Sequence, residues 1–392
     1  MKIGIVSCFN EGEANSEYTK VIYEEFIRQG HDVEILRLPF SVFGNNSPSM
    51  RKRADAIIGE IGKKIPHFDY ISIQYEFLLY GYNFSDVQRR VLYLLQQCNE
   101  KNFSVTFHRI DLNKKIKKRK WYKQLFNNKV LPTADEITLS ILDEINRKQG
   151  LAIVHTLRDK EKILAFNPQL KVFAHPLNYK RQEDVAKLKK SFSKKQYMEE
   201  KGIRLSASDK IIGVIGSFVR VKDYTTVIKA LNYLPENYHL FIFGGQHKLE
   251  ISMEPKGSSY IQEILSLVSS LKLNKRVHFM GFQQSSEDML NAYLFCDYVV
   301  LPYIECGEMA SAAAGNALEL NSNVFASRNH CFEEWKKFTG EAFYSFDMGN
   351  YMELAEKIQS MPDKKSINQQ RVAYLEQYSI SKNIQHYLDL LD

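Results

Sequence analysis

A loop that combines a glycine with two cations is the part of the sequence best suited to chemistry. Gly216 follows the apolar run 211–215, and Arg220 and Lys222 come shortly before a segment with helical spacing. A glycine lets the backbone approach a ligand closely, a helix N-terminus offers unpaired N–H groups, and cations neutralise negative charge. We therefore expect this loop to receive a phosphate group.

A second candidate phosphate contact lies at the start of another expected helix. Met309, Ala310, Ser311 and Ala312 precede and open an apolar segment that extends to Leu320. Small side chains leave the first N–H groups of a helix accessible, so a diphosphate could lie against them. The same composition suits a helix that is only tightly packed, and both interpretations can hold together.

Positive charge is concentrated in one short run. The net charge is +7, and seven cations lie between residues 114 and 123, among them Lys117, Lys118 and Lys120 next to Trp121. The run could be a solvated loop, a site for an anionic acceptor or a patch that binds an anionic membrane surface. The aromatic and aliphatic residues within it favour an interface. Nucleic acid is the weakest option, because no known nucleic-acid-binding module accompanies the charge.

Alternating strand and helix patterns must position these residues. Strands are expected at 2–6, 31–38, 70–75, 103–107, 152–155, 171–174, 210–215, 239–243, 277–280, 298–301 and 323–326. Helices are expected at 16–29, 49–64, from 85 onwards, and at 133–148, 225–234, 260–271, 288–296 and 310–320. Strands separated by helices predict parallel sheets with right-handed crossovers, one in each half of the chain. The fold class is therefore α/β.

Length and composition indicate two domains in a globular protein. With 392 residues, 44% hydrophobic and 25% charged, the chain falls outside the disordered and coiled-coil classes. We expect a domain over 1–180, a polar connection over 181–209, a second domain over 210–375, and a helix within 376–392 that could return to the first domain. Strand-sized apolar runs, the lack of a signal-peptide pattern and five scattered cysteines predict a cytoplasmic protein.

Six segments resemble a known enzyme family and occur in its order. They are 70–77, 104–108, 216–222, 241–245, 276–282 and 299–303. Over most of its length the chain resembles the retaining GT-B glycosyltransferases of family 4, the glycosyl transferases group 1. The resemblance implies two Rossmann-like doubly wound parallel-sheet domains that face each other across a cleft. It also implies a nucleotide sugar on the C-terminal domain and an acceptor on the N-terminal one.

The resemblance assigns roles around the donor. Lys222 would clamp the diphosphate; many members carry an arginine where Ser217 stands, so Arg220 could take that role. Further donor contacts would come from the strand ends and from the start of the second helix. These residues are Gly216, Ser217, Gly244, Gly281, Met309, Ala310, Ser311 and Ala312.

A pair of glutamates is where the sequence departs from the family. Members carry two, eight positions apart, of which the first contacts the sugar and the second the ribose. Counting back from the strand at 323–326 places them on Glu308 and Asn316, whereas counting forward from Pro302 favours Glu305 for the first. The second glutamate is absent on either count. Asn316 could bond a ribose hydroxyl as a neutral amide.

In the first half, the resemblance implies that His108 lies beside the transferred sugar. Glu76 and Arg109 would lie on the acceptor side. A histidine at a strand end is also commonly held by its neighbours alone, and Glu76 could equally be an ordinary loop carboxylate.

Together these features predict a cytoplasmic hexosyltransferase-like enzyme, peripheral on the membrane if the basic run binds lipid. It would transfer a sugar with retention from a nucleotide diphosphate to a saccharide acceptor, either lipid-linked or a surface polysaccharide. No metal or other cofactor is expected, because the sequence lacks an Asp-x-Asp motif, and the loop after residue 6 lacks the glycines of a nicotinamide site. The alternatives are a nucleotide-sugar epimerase of the same fold and a non-catalytic relative that acts as a binding protein.

Overall fold

The computed structural model describes residues 1–10, 14–110, 112, 132–245, 260–281, 283, 285–305, 310–321 and 323–390. The chain divides into two compact units. The first combines Met1–His175 with Ile380–Asp392, and the second is Pro176–Ser379. Each is built on a six-stranded parallel sheet with helices packed against it, so the predicted α/β fold with two doubly wound sheets is confirmed.

The sheet of the first unit has the strand order β2-β1-β3-β4-β5-β6. Its strands are β1 (Lys2–Ser7), β2 (Asp32–Arg37), β3 (Tyr70–Tyr75), β4 (Phe103–Phe107), β5 (Leu151–Val154) and β6 (Lys171–Ala174). Its first helices are α1 (Ala14–Arg28), α2 (Phe40–Phe43), α3 (Pro48–Lys64), α4 (Phe84–Gln97), α5 (Ala134–Arg147) and α6 (Leu157–Phe166). β3, β4 and β5 are buried on both faces, which explains their nearly continuous apolar runs.

Local signals fix where the helices of this unit begin. Thr133 and Glu136 form a reciprocal capping box at the start of α5. The start of α4 differs from the expectation at Ser85. The side chain of Asn83 accepts a hydrogen bond from the N–H of Asp86 at 2.9 Å, so the helix begins at Phe84.

The second unit has the strand order β12-β11-β10-β7-β8-β9. Its strands are β7 (Lys210–Ile215), β8 (Tyr238–Phe243), β9 (Val277–Gly281), β10 (Tyr298–Leu301), β11 (Val324–Ser327) and β12 (Tyr344–Phe346). Its helices are α7 (Gln182–Ser191), α8 (Lys194–Glu200), α9 (Tyr224–Leu231), α10 (Tyr260–Ser270), α11 (Ser286–Phe295), α12 (Ala312–Leu320), α13 (His330–Thr339), α14 (Tyr351–Ser360) and α15 (Lys364–Gln377).

The segment 181–209, expected as a polar connection, contains two helices and belongs to the second unit. α7 has no fully buried residue, and α8 buries Tyr197, whose ring lies 5.0 Å from that of Phe295. Their lysines face solvent, so composition alone resembles that of a linker.

No described helix is both long and apolar enough to cross a membrane.

The last helix, α16 (Ile380–Asp389), packs against α1 in the first unit. Its Tyr387 is fully buried, and the hydroxyl lies 2.5 Å from Nε2 of His175 and 3.4 Å from the hydroxyl of Tyr18. The first unit is therefore made of two stretches of chain separated by the whole second unit.

Candidate functional site

Lys222 lies directly over the backbone of Gly216 at the end of β7. Gly216 has a φ of +144°, and a Cβ atom added to it would lie 2.1 Å from Nζ of Lys222. The same ammonium group lies 5.4 Å from the centre of the Tyr303 ring, after β10. Glycine is thus required here both for its backbone conformation and for the space that the lysine occupies.

Hydrogen bonds connect the loop after β7 to the start of α9 and to the loop after β10. The hydroxyl of Tyr224, the first residue of α9, donates to the carbonyl oxygens of Gly216 at 2.8 Å and Ser217 at 3.1 Å. The N–H of Ile304 donates to the carbonyl of Val221 at 2.9 Å. The loops after β7 and β10, which are neighbouring strands, therefore form one connected edge of the sheet.

Gly244, at the end of β8, is also required by close approach. A Cβ atom there would lie 1.7 Å from the carbonyl oxygen of Gly216, so no side chain fits without moving the backbone. Gly281 ends β9 with a φ of +71° and has no such contact. Of the two strand-end glycines, Gly244 is the one that shapes the loop of Lys222.

The start of α12 has the geometry expected of an anion contact. Ser311 caps the helix by accepting a hydrogen bond from the N–H of Ala314 at 3.4 Å, and Ala310 and Ala312 are half-buried beside it. Asn316 is 8% exposed and its amide donates to the carbonyl of Ala312 at 3.0 Å. One of its two amide N–H groups is therefore engaged within the helix, which leaves the other N–H and Oδ1 able to bond a ligand.

Arg220 is paired with a carboxylate that the sequence did not single out. Its guanidinium donates to both oxygens of Glu263, at 2.7 and 2.5 Å, and lies 5.0 Å from the centre of the Tyr260 ring. The arginine lowers the pKa of Glu263 through these hydrogen bonds. The two cations of the loop thus differ in their surroundings. The charge of Arg220 is partly neutralised by Glu263 of α10, whereas Lys222 lies against the ring of Tyr303.

Of the two candidate glutamates, the structure describes Glu305. Its Oε2 accepts from the backbone N–H of His330 at 3.1 Å and lies 2.7 Å from Nδ1 of the same residue, at the first turn of α13. Glu308 and Met309 lie outside the described residues. Glu305 thus helps to hold the start of α13 through its contacts with His330.

In the first unit, His108 follows β4 among other aromatic side chains. Its Nε2 lies 3.1 Å from Oε1 of Gln74, and its ring centre lies 5.5 Å from that of His155 and 5.6 Å from that of Tyr18. Burial and the neighbouring His155 lower the pKa of His108 to about 3, and burial lowers the pKa of His155 to about 4. Both imidazoles are therefore neutral at pH 7.

The two residues assigned to the acceptor side lie at strand ends of the same sheet. Oε2 of Glu76 accepts from the N–H of Leu78 at 2.9 Å and caps the short 3-10 turn Phe77–Leu79. Arg109 is exposed after β4. Of the basic run, the residues Lys117, Lys118, Lys120 and Trp121 lie outside the described residues.

Four residues with a part in these sites were missed at the sequence level. They are Gln74, His155, Glu263 and Tyr303. Gln74 is fully buried in the middle of an apolar strand, and its amide nitrogen donates to hydroxyls of Ser72 and Thr106, which orients its oxygen toward His108. A glutamine within an apolar strand indicates a buried hydrogen-bonding role, so this residue could have been found from the sequence.

Among the described residues, no group of three or more His, Cys, Asp or Glu side chains is arranged to hold a metal ion.

Replacing Gly216 by alanine should lower the free energy of unfolding by about 1–3 kcal/mol, because alanine is strained at this φ. The added methyl group should also displace the Lys222 ammonium. Urea unfolding of the purified variant measures the effect. Gly59 of α3 is the matched control, since a Cβ there meets no atom within 4 Å, and Gly59→Ala should stabilise slightly. Equal stability of wild type and Gly216→Ala would contradict the geometry.

Comparison with known proteins agrees with the sequence resemblance. Residues 196–378 match the sequence model of the family described as glycosyl transferases group 1. The matched segment lies within the second unit. No curated protein matches it significantly in sequence.

Solved structures extend the similarity to both units. A glycosyltransferase from Rickettsia africae is 15% identical, with a TM-score of 0.66 over 100% of this chain and 98% of that one. The Anabaena protein Alr3699/HepE, solved in complex with UDP, is 14% identical, with a TM-score of 0.64 over 99% and 100% of the two chains. Sucrose-phosphate synthase from Thermosynechococcus elongatus is 16% identical, with a TM-score of 0.64 over 100% and 98%. These similarities establish the GT-B fold.

Proposed function

We propose that this glycosyltransferase transfers a hexose from a nucleotide diphosphate to a saccharide acceptor, with retention of configuration and without a metal or other cofactor. One observation carries the proposal: Lys222 lies over Gly216 at the end of β7, next to the start of α9. In doubly wound sheets, ligands bind at the carboxyl ends of the strands. The Anabaena neighbour was solved with UDP and with UDP-glucose, which supports a nucleotide-sugar donor.

In this proposal the second unit stabilises the leaving diphosphate. Lys222 would contact a phosphate oxygen, and the first N–H groups of α12, next to Ser311, would contact another. These groups face negative charge that grows as the glycosidic bond to the diphosphate breaks. The departing phosphate would then accept the proton of the acceptor hydroxyl, so that no enzyme nucleophile is needed.

The histidine of the first unit has a narrower role in this scheme. Because its pKa is about 3, His108 is a neutral hydrogen-bonding group at pH 7 and not a general acid. If Gln74 Oε1 accepts from Nε2–H, the free Nδ1 of His108 accepts hydrogen bonds. We propose that it accepts one from a sugar hydroxyl, and that Glu76 and Arg109 lie on the acceptor side.

Calorimetric titration with UDP-, GDP-, ADP- and CMP-sugars tests the donor directly. One of them should bind, and its complex should be stabilised by about 2.7 kcal/mol at 100 times its dissociation constant. Incubation with that donor and no acceptor should leave the sugar unchanged. An altered sugar would identify an epimerase instead, and failure of every nucleotide sugar to bind would leave a non-catalytic binding protein.

Removing the carboxylate that holds Arg220 should tighten donor binding. An exposed ion pair is worth up to about 1 kcal/mol, so Glu263→Gln should lower the dissociation constant of the donor by up to about fivefold. The matched control is Glu263→Gln in an Arg220→Ala background, where the effect should vanish. A tighter donor complex in both backgrounds would mean that Glu263 repels the donor directly.

Glutamine substitutions should separate the two candidate sugar contacts. If Glu308 bonds a sugar hydroxyl, Glu308→Gln should lower kcat/KM by roughly 10- to 100-fold and leave the affinity for the free nucleoside diphosphate unchanged. Glu305→Gln should change kcat/KM little, because Glu305 is held by His330. The opposite pattern would transfer the role to Glu305. The measurements are steady-state kinetics and nucleotide titration.

We further propose that the acceptor is lipid-linked and that the basic run binds an anionic membrane surface. The support is compositional: lysines are mixed with Trp121 and other apolar residues, and surface cations contribute about 1 kcal/mol each at an anionic bilayer. Sedimentation with anionic liposomes should show binding that weakens as salt is added. Protein that stays in the supernatant at low salt would exclude the membrane interaction.

A further inference from the structure

A cavity of about 210 Å³ lies within the second unit, away from the diphosphate loop. It is bordered by α7, by Glu319 near the end of α12, and by α15 with the two residues that follow. Ser311 and Glu319 are eight residues apart on α12, which corresponds to about 12 Å along the helix. The cavity is therefore distinct from the proposed donor site.

Arg371 supplies a buried guanidinium to this cavity. It is 7% exposed, and its Nε and Nη2 donate to the carbonyls of Leu318 at 2.6 Å and Glu319 at 3.1 Å, at the C-terminal end of α12. Its Nη1 makes no hydrogen bond to any described residue. Burial lowers the pKa of this arginine. The charge is thus held in a fixed orientation with one nitrogen available to a ligand.

Two lysines add positive charge to the lining. Lys180 and Lys189 border the cavity, and neither ammonium group forms an ion pair with a described residue. Partial burial and the nearby Arg371 lower the pKa of Lys189. Three cations thus border one small volume, together with the carboxyl of Glu319.

Glu319 supplies a carboxyl group that borders the cavity. It is 3% exposed, and its Oε1 accepts from the N–H groups of Tyr179 at 2.8 Å and Lys180 at 3.1 Å. Its Oε2 is enclosed by protein, with the Asn178 side chain nearby. Burial raises the pKa of this carboxyl to about 7, so near neutral pH a large fraction carries a proton. In its protonated form this carboxyl is neutral and does not repel an anion in the cavity.

The opposite side of the cavity is apolar, with Val185, Val372 and Leu375. We propose that the cavity binds a small phosphate monoester, whose phosphate contacts Arg371, Lys180 and Lys189 while a short carbon skeleton lies against the apolar side. A dianion matches the excess of cations over carboxylates. The volume admits only a compact molecule, since sites for drug-sized ligands start at about 300 Å³.

Calorimetric titration of the full chain with glycerol 3-phosphate tests the proposal, with glycerol as the neutral probe. Glycerol 3-phosphate should bind saturably and glycerol should not. Lys189→Met should weaken binding about tenfold, as expected for the loss of one charge-assisted hydrogen bond. The matched control is Lys190→Met, because Lys190 is an exposed neighbour on the same helix that does not border the cavity.

Two results would overturn the proposal. The first is the absence of saturable binding of glycerol 3-phosphate to the wild-type protein at millimolar concentration. The second is equal weakening by Lys189→Met and Lys190→Met, which would mean that the anion is attracted by the basic surface of α7 in general. Lys180→Met provides a second test of the cavity that leaves the Arg371 hydrogen bonds intact. The outcome is independent of whether a nucleotide sugar binds at Lys222.

Discussion

Replacing Lys222 by alanine should lower kcat by about 10²–10³ while leaving the protein folded. The ammonium group lies over Gly216, where the proposed diphosphate leaves, so it faces charge that is greater in the transition state than in the bound donor. Loss of one such stabilising group costs about 2.7–4 kcal/mol of activation free energy. Steady-state kinetics with the donor identified by titration measures the effect.

Lys229 of helix α9, which follows the loop of Lys222, is the matched control for this experiment. Its side chain is exposed, and its ammonium group lies over the ring of Tyr351, whereas that of Lys222 lies over the loop after β7. Lys229→Ala should therefore leave kcat within about twofold, as expected for a charge distant from the reacting groups. If the Lys222 and Lys229 variants turned over at equal rates, Lys222 would have no part in the reaction.

The free energy of unfolding of the first unit should fall by about 4 kcal/mol between pH 7 and pH 5. His108 and His155 have pKa values of about 3 and 4 in the folded chain, against about 6.5 when unfolded. Because the unfolded state binds the protons first, stability decreases as pH falls through 6.5 and continues to decrease toward the folded pKa values. Each histidine contributes about 2 kcal/mol at pH 5.

In the second unit, Glu319 contributes in the opposite sense to the histidines, whereas burial lowers the pKa of His239 and His278 and makes them contribute in the same sense as His108. The pKa of Glu319 is raised to about 7 in the folded state, so protonation below pH 7 stabilises the fold. A global unfolding midpoint would mix the two effects. Hydrogen exchange of the β4 and β5 amides reports on the first unit alone, and after correction for the slower intrinsic exchange at lower pH it should show an acceleration at pH 5 in the wild type. A His108→Gln, His155→Gln double variant should lose this acceleration, and its persistence there would assign the acid sensitivity to other groups.

The architecture could be predicted from sequence because both sheets are buried on their two faces. Strands such as Leu151–Val154 and Val324–Ser327 then appear as short apolar runs between amphipathic helices. The helices of 182–200 were missed, because α7 buries no residue completely and carries the composition of a linker. β12 was also missed, since three residues are too few to show a period.

From sequence, candidate site residues could be predicted only where the residue type and its neighbours along the chain already indicate the role. Gly216 and Lys222 are close in sequence, and the strand and helix on either side fix their geometry. Glu263 could not be found in this way, because it lies 43 residues after Arg220 in an ordinary polar helix turn. Nor does the sequence indicate that Asn316 is bonded to its own helix or that Tyr303 lies beside Lys222. Such contacts depend on how strand ends meet in space.

The division of the first unit into two stretches has a consequence for synthesis on the ribosome. The 204 residues of Pro176–Ser379 separate His175 from the helix that carries Tyr387. At about 5–20 residues per second, their translation takes roughly 10–40 s. During that interval the nascent first unit has its parallel sheet but not α16, so Tyr18 and His175 remain without the hydroxyl that joins them. The second unit, continuous in sequence, can complete its fold first, and the N-terminal half of the chain becomes fully native last.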